Sequence, residues 1–400
     1  MDYFTAATLL AKQYRAGVPI QNVQPIPYWE NVFPSAGGST STQIGGECGS
    51  PGTSCSGLTS GPLPANLTAT QAMYDLFAYN AGNETTALEY ADVPGLVSAT
   101  GCYPACATIN GQQTPFTFYS PQYSSLYGWM SIGNSAYNAG QFSLRRRMAD
   151  GLQFDLNYTY SKSIDIGSNA ERINHFQGSG FASQVLNSWS PKQLRAPSDF
   201  DTTHQINANW VYQLPFGRGK HFGAGMSRWL DAVVGGWTVS GLWRWSSGYP
   251  FSISSGFGWA TNFDEQSLAV LVGKKPHTGT FFINGQPNVF SNPNNVNDPN
   301  SAINQFRAAL PGESGQRNNF RGPGTFNIDT AMSKSWNITE RQSLRLSVEA
   351  FNVTNSTRFD VGTMQLGLAG NSITNSGSFG NFSSTLSNPR VLEFAVRYSF

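Results

Sequence analysis

The chain has 400 residues, a formal net charge of +1 and 12% charged side chains, about half the roughly 25% of an ordinary globular domain. That length allows a large core or several domains, and the near-neutral balance excludes a global field that would gather nucleic acid or coat an anionic surface. Aromatic residues at 13%, with 42 glycines and 22 prolines, suit many strands and turns and argue against a soluble helical protein.

No run of about 20 apolar residues occurs, so a transmembrane helix is excluded. A mean hydropathy of −0.30 still accommodates a barrel wall, because alternate residues of such a wall point into a polar lumen. The beginning, Met1-Asp2-Tyr3-Phe4, has no basic segment followed by an apolar stretch and a small-residue cleavage site. No signal peptide is therefore expected there, and an exported barrel would be expected to lack its natural beginning.

Residues 1–125 are irregular in pattern, apart from a predicted helix over 70–81. Cys48 and Cys55 form one local pair and Cys102 and Cys106 another, each among Gly, Pro, Ser and Thr. Two short disulfides in an oxidising compartment are the better reading. The rival is a zinc site, which usually spaces each cysteine pair by two to four residues, closer than Cys48 and Cys55.

From Tyr137 the pattern changes to strands. Residues 137–147 and 152–163 flank a tight turn, with Leu152, Phe154, Leu156, Tyr158 and Tyr160 alternating with polar residues. Asp150-Gly151 between two alternating runs is a strong hairpin signal. The alternation returns over 203–214, with Trp210 and Tyr212 on its apolar side, and over 236–246, with Trp237, Trp243 and Trp245. It returns again over 325–336, 342–353 and 392–400. In the last, Leu392, Phe394, Val396, Tyr398 and Phe400 share one side, so the predicted strand has one apolar face and one carrying the charges. Strands of ten to twelve residues, tilted, rise roughly 25–30 Å, the height of a membrane band.

The connections alternate: short, long, intermediate, very long, short, long. Outer-membrane barrels pair short periplasmic turns with long external loops in this way. Seven strands are an odd number, and an open sheet edge is not tolerated in lipid. The fold expected is therefore all-β, an antiparallel transmembrane β-barrel segment of a larger barrel, with long extracellular loops.

Several segments resemble the Oar-like TonB-dependent transporters: 137–147 with 151–165, Leu214-Pro215-Phe216-Gly217-Arg218-Gly219-Lys220, Gly235-Gly236-Trp237, Ser246-Ser247-Gly248-Tyr249-Pro250-Phe251, and Glu349-Ala350-Phe351-Asn352-Val353-Thr354-Asn355. They run in the family's order across about residues 120–400. The resemblance implies a plug domain, an N-terminal regulatory domain and a barrel of about 22 strands. No plug, regulatory domain or TonB-contacting segment is legible here, so TonB is an expected partner only if a plug is supplied. Residues 1–125 would then be an extracellular loop region and 126–400 the C-terminal strands of the barrel. A resemblance to the terminal assembly signal of outer-membrane proteins implies that Phe394, Val396, Tyr398 and Phe400 address the barrel-insertion machinery.

Catalytic patterns are weak. Gly217–Gly223 misplaces the third glycine of a dinucleotide loop and is read as a periplasmic turn, with the segment 226–234 at the inner rim and Trp229 at the interface. No nucleophile elbow or zinc-protease helix occurs, and the four histidines lack ligand spacing. Arg145-Arg146-Arg147 reads as a headgroup anchor rather than a nucleic-acid contact. Tyr158, Tyr160, Trp210, Tyr212, Trp237, Trp243 and Trp245 fit an interfacial girdle better than a sugar-stacking surface. The expectation is an outer-membrane receptor or transporter wall for uptake of, or adhesion to, an unknown extracellular ligand. It contacts lipid, needs no cofactor, does no enzymatic chemistry and binds no nucleic acid. The alternative is a secreted or surface all-β carbohydrate-binding module. The two differ in whether the outward residues form one apolar belt or pack against a second sheet.

Overall fold

A computed structural model describes residues 1–33, 66–79, 108–109, 112–113, 131–168, 190–258, 266–364, 366 and 377–400. The four cysteines lie outside these residues. The main sheet is built from β1 (Ala136–Ala149), β2 (Leu152–Asp165), β3 (His204–Gln213), β4 (Trp237–Ser246), β5 (Thr325–Asn337), β6 (Ser343–Phe351) and β7 (Val391–Ser399). Every strand expected from alternation is present, with ends shifted by at most two residues. Each pairs antiparallel with its neighbours in chain order, and the short strand Ala196–Pro197 adds to the end of β2. Among the described residues β1 and β7 are paired on one side only.

The register carries the alternation across the whole sheet, because directly opposed residues share a face. Phe394 faces Val348, which faces Met332, then Val239, Tyr212 and Leu152. One pleat further along runs the row Leu392, Ala350, Thr330, Gly241, Trp210 and Phe154. The other face holds Glu393, Glu349, Ala331, Ser240, Val211 and Gln153 in the corresponding row. Gly241 has a packing reason: a Cβ there would lie 2.3 Å from the Trp210 ring.

The β1–β2 hairpin turns on Asp150 and Gly151, both at positive φ (54° and 77°), as a two-residue turn matching strand twist requires. The segments at the strand ends act as stops and clasps. Asn352, at φ 49°, accepts from the Ser356 N–H through its side-chain oxygen and donates to the Ser356 and Asn388 carbonyls. The Asn355 side chain accepts from the Arg390 N–H. This clasp ends β6 and delivers the chain into β7.

Residues 1–33 and 66–79 hold more helix than their pattern suggested. Helices α1 (Tyr3–Arg15), α2 (Pro27–Val32) and α3 (Ala69–Tyr79) pack into one apolar cluster around Leu10, Trp29, Tyr74 and Leu76. The sequence expectation included only the last. α1 does carry a local signal: an N-cap Asp2 accepting from Thr5 N–H at 2.8 Å, and buried Ala6, Ala7, Leu10 and Ala11 on one face. Burial pushes the Tyr74 phenol up to about 12, and its hydroxyl donates to the Val18 carbonyl at 2.6 Å.

This cluster docks on the long connection between β4 and β5. Arg15 donates to the Ala308 and Ala309 carbonyls at 3.0 and 2.7 Å, and Thr8 to the Pro311 carbonyl at 3.3 Å. A second core joins the connections after β4 and β6. It contains Phe251, Phe290, Ile303, Phe306, Phe320, Phe379 and Phe382. Neither core includes a residue of the seven long strands.

Candidate functional site

Two features of the sheet bear on function: its apolar face, and a cleft among the long connections. Leu144, Phe142, Tyr160, Met332, Phe394, Val396 and Tyr398 of the apolar face are all exposed. Among the described residues no second sheet covers that face, because the other ladders are two-stranded pairs outside the seven strands. A soluble sandwich would bury such a face against its partner. Left open across seven strands, it needs an apolar solvent.

The predicted aromatic residues fall at different heights on this face. Tyr158, Tyr160 and Trp245 stand near the long-connection end, around His204, whose Nδ1 is 2.8 Å from the Tyr158 hydroxyl. Tyr212 and Trp237 stand at the turn end with Trp336 and Tyr398. Trp210 and Trp243 sit one pleat inside those rims. The Trp243 indole N–H finds no acceptor among the described residues, whereas those of Trp237 and Trp336 donate to Val233 and Ala232 carbonyls, each at 2.8 Å. Phe394, Val396, Tyr398 and Phe400 line the free edge, and Tyr398 and Phe400 rings lie 5.9 Å apart. The basic run is split: Arg145 pairs with Asp155 at 2.7 Å on the polar face, and Arg146 with Asp150 at 3.1 Å beside the turn.

The opposite, polar face ends above β2 in an ionic network that sequence reading missed. Arg317 donates to Asp165 and Asp199 at 2.7 and 2.9 Å and to Ser168 Oγ at 2.6 Å. Asn318 adds bonds to Asp199 and to the Pro197 carbonyl. Arg321 pairs with buried Asp201, which also accepts from Ser163 N–H at 2.6 Å. These bonds tie the connection before β5 to the one before β3 and to the end of β2. Gly248 admits a close approach, since a Cβ there would lie 1.9 Å from the Gly322 carbonyl oxygen.

Beside the network opens a cleft of about 690 Å³, lined among others by Arg195, Lys275, Arg317, Asn318, Asn319 and Arg321. Among the described residues no carboxylate lines it. Arg317 and Arg321 are neutralised by the aspartates behind them. Arg195 donates to the neutral Asn134 side chain, and Lys275 donates to the Asn319 carbonyl and lies over the Phe320 ring. The cleft therefore presents two cationic side chains with neutral partners among amides, a setting that favours a small anionic group. The loop tryptophans Trp189 and Trp259 lie outside the described residues.

An open antiparallel meander with an uncovered apolar face and alternating short and long connections defines a membrane β-barrel wall. A family model described as an outer membrane beta barrel domain matches residues 68–393, and the chain belongs to that family. It is an outer-membrane protein, and its apolar face contacts membrane lipid. A search of curated proteins and one of solved structures found no match.

Proposed function

We propose that the chain forms part of the wall and external loops of an outer-membrane receptor or transporter that captures an extracellular ligand for uptake or adhesion. The observation carrying this reading is the cleft above the polar face, built by connections that the Arg317 and Arg321 networks and the phenylalanine core hold in place. A wall that served only to close a barrel has no need of such loops. The reading invokes binding and passage rather than covalent chemistry.

The resemblance of the strand-end segments to Oar-like transporters supports TonB-dependent energisation through a plug supplied to the lumen. The polar face is consistent with an occupant there. Arg345 directly opposes Arg397, and Glu349 opposes Glu393, like-charge placements that cost stability unless something else neutralises them. The single-sided pairing of β1 and β7 likewise asks for further strands to complete a barrel in lipid. Assembly would run through the insertion machinery, with Phe394, Val396, Tyr398 and Phe400 as its contact. Phe400→Ala is expected to lower the amount assembled in the membrane, and normal insertion would count against that role.

The ligand reading is tested with the purified full chain in detergent. Citrate and inorganic phosphate are expected to raise its melting temperature, maltose to leave it unchanged, and the R195Q/K275Q double variant to abolish the shift. A shift produced by maltose and retained in the double variant would replace anion capture with saccharide capture. No shift with any of the three would remove the cleft as a ligand site.

A further inference from the structure

The connection between β3 and β4 contains a short helix, α4 (Arg228–Val234), with none of its side chains buried. Its stripe is apolar: Trp229 is 88% exposed and Val233 67%, one helical turn apart, beside Leu230 and Val234 at 50% and 40%. Phe216 and Phe222, 5.5 Å apart in the preceding turn, are exposed as well. For a loop facing water this clustering is costly, since each such side chain forgoes the gain of burial.

The helix is held in place firmly. Ser227 caps its start by accepting from Leu230 N–H. At its other end three successive carbonyls are taken: Asp231 by Lys334 Nζ at 2.9 Å, Ala232 by Trp336 Nε1 and Val233 by Trp237 Nε1, both at 2.8 Å. Lys334, Trp336 and Trp237 all belong to the apolar face, since Lys334 opposes Trp237 and Leu346, and Trp336 opposes Leu344. The helix thus continues the lipid-contacting belt past the turn-side rim. Lys334, whose ammonium would otherwise sit in hydrocarbon, lies 5.3 Å from the Trp336 ring and reaches the helix end.

Charge identifies the occupant further. Residues 214–236 contain Arg218, Lys220 and Arg228 against one acid, Asp231. That acid is occupied internally, accepting from the Arg218 N–H at 2.7 Å. The connection presents exposed aromatic and aliphatic groups with three cations beside them, the composition of an interfacial anchor for anionic lipid. In an outer-membrane barrel the short-turn side faces the periplasm, where the leaflet is phospholipid rather than solvent.

We infer that α4 and the turn before it form a binding site for anionic glycerophospholipid in the turn-side leaflet, with Trp229, Leu230 and Val233 among the acyl carbonyls and Arg218, Lys220 and Arg228 on the headgroups. This rests on the membrane orientation of the wall, and the test separates the two. The full chain is reconstituted in phosphatidylglycerol or phosphatidylcholine vesicles whose acyl chains carry bromine near the headgroup or deep in the bilayer. Trp229→Phe should remove a tryptophan emission component quenched by shallow bromine, and Trp210→Phe one quenched by deep bromine. Loss of about fivefold in preference for phosphatidylglycerol is expected for each of R218Q, K220Q and R228Q, the equivalent of about 1 kcal/mol per basic residue. Quenching of Trp210 without Trp229 overturns the lipid site and leaves the wall intact. Quenching of neither overturns both. Equal quenching in the two lipids, unchanged in the charge variants, overturns the anionic preference. Trp229 already shielded in detergent, together with a dimeric mass, would assign the helix to a second copy instead.

Discussion

The wall and the connections above it treat apolar side chains in opposite ways. In β1–β7 they face outward in cross-strand rows, and many are open, as Phe394, Val396 and Leu144 are. In the connections a phenylalanine core turns inward: Phe290, Phe320 and Phe379 are almost wholly buried, and their rings stack or meet edge to face at 5.6–6.2 Å. The wall takes its apolar solvent from the bilayer, whereas the connections must make their own. One polypeptide therefore holds two kinds of stability, one that depends on lipid and one that does not.

The largest effect expected on that contrast comes from the connections. Phe320→Ala removes a ring at the centre of the loop core and is expected to cost about 3–5 kcal/mol. Hydrogen exchange should show loss of protection in 250–320 while β1–β7 keep theirs, and uniform loss would mean that the two regions are one cooperative unit. Next comes the wall. Val239→Arg, in the middle of the apolar face, is expected to cost about 2–4 kcal/mol in vesicles, while its lumen-side neighbour Ser240→Arg costs little. Equal effects, read from denaturant titrations of the lipid-folded chain, would erase the distinction between faces.

Gly248→Ala tests where the two regions meet. Its Cβ has no room against the Gly322 carbonyl, and a cost of about 1–3 kcal/mol is expected, with weaker binding in the cleft detected by the citrate shift. The smallest effect is on pH. The bidentate Arg307 hydrogen bonds hold the Glu313 carboxyl below its ordinary value of 4.5, with help from the Leu310 N–H. Because the folded-state value is depressed, this contribution is full above the ordinary value and is lost as pH falls through the folded one. Acidification below about pH 4.5 should therefore loosen the segment around 307–313, where α1 docks. Glu313→Gln should remove the pH dependence, as monitored by hydrogen exchange at Arg15 and Leu310.

The sequence by itself determined the wall. Period-two alternation is a local property, so each strand from Tyr137 to Phe400 declared its length, its faces and its partner in the meander without knowledge of anything distant. Asp150-Gly151 marked its turn for the same reason, since a residue tolerating positive φ is visible where it stands, whereas Asn352, which ends β6, was expected within the strand. The α1 cap and stripe were equally local but lay in a region without strand pattern. What only the tertiary structure decided are meetings across long separations: Arg317 with Asp165, 152 positions apart, and Arg15 with Ala309, 294 apart. The seating of α4 under Lys334 and Trp336 is of the same kind, about a hundred positions away. Charges and carbonyls carry no periodic signature of their partners, so the cleft and the contacts that seat the rim segment became visible only once the connections were folded over the sheet.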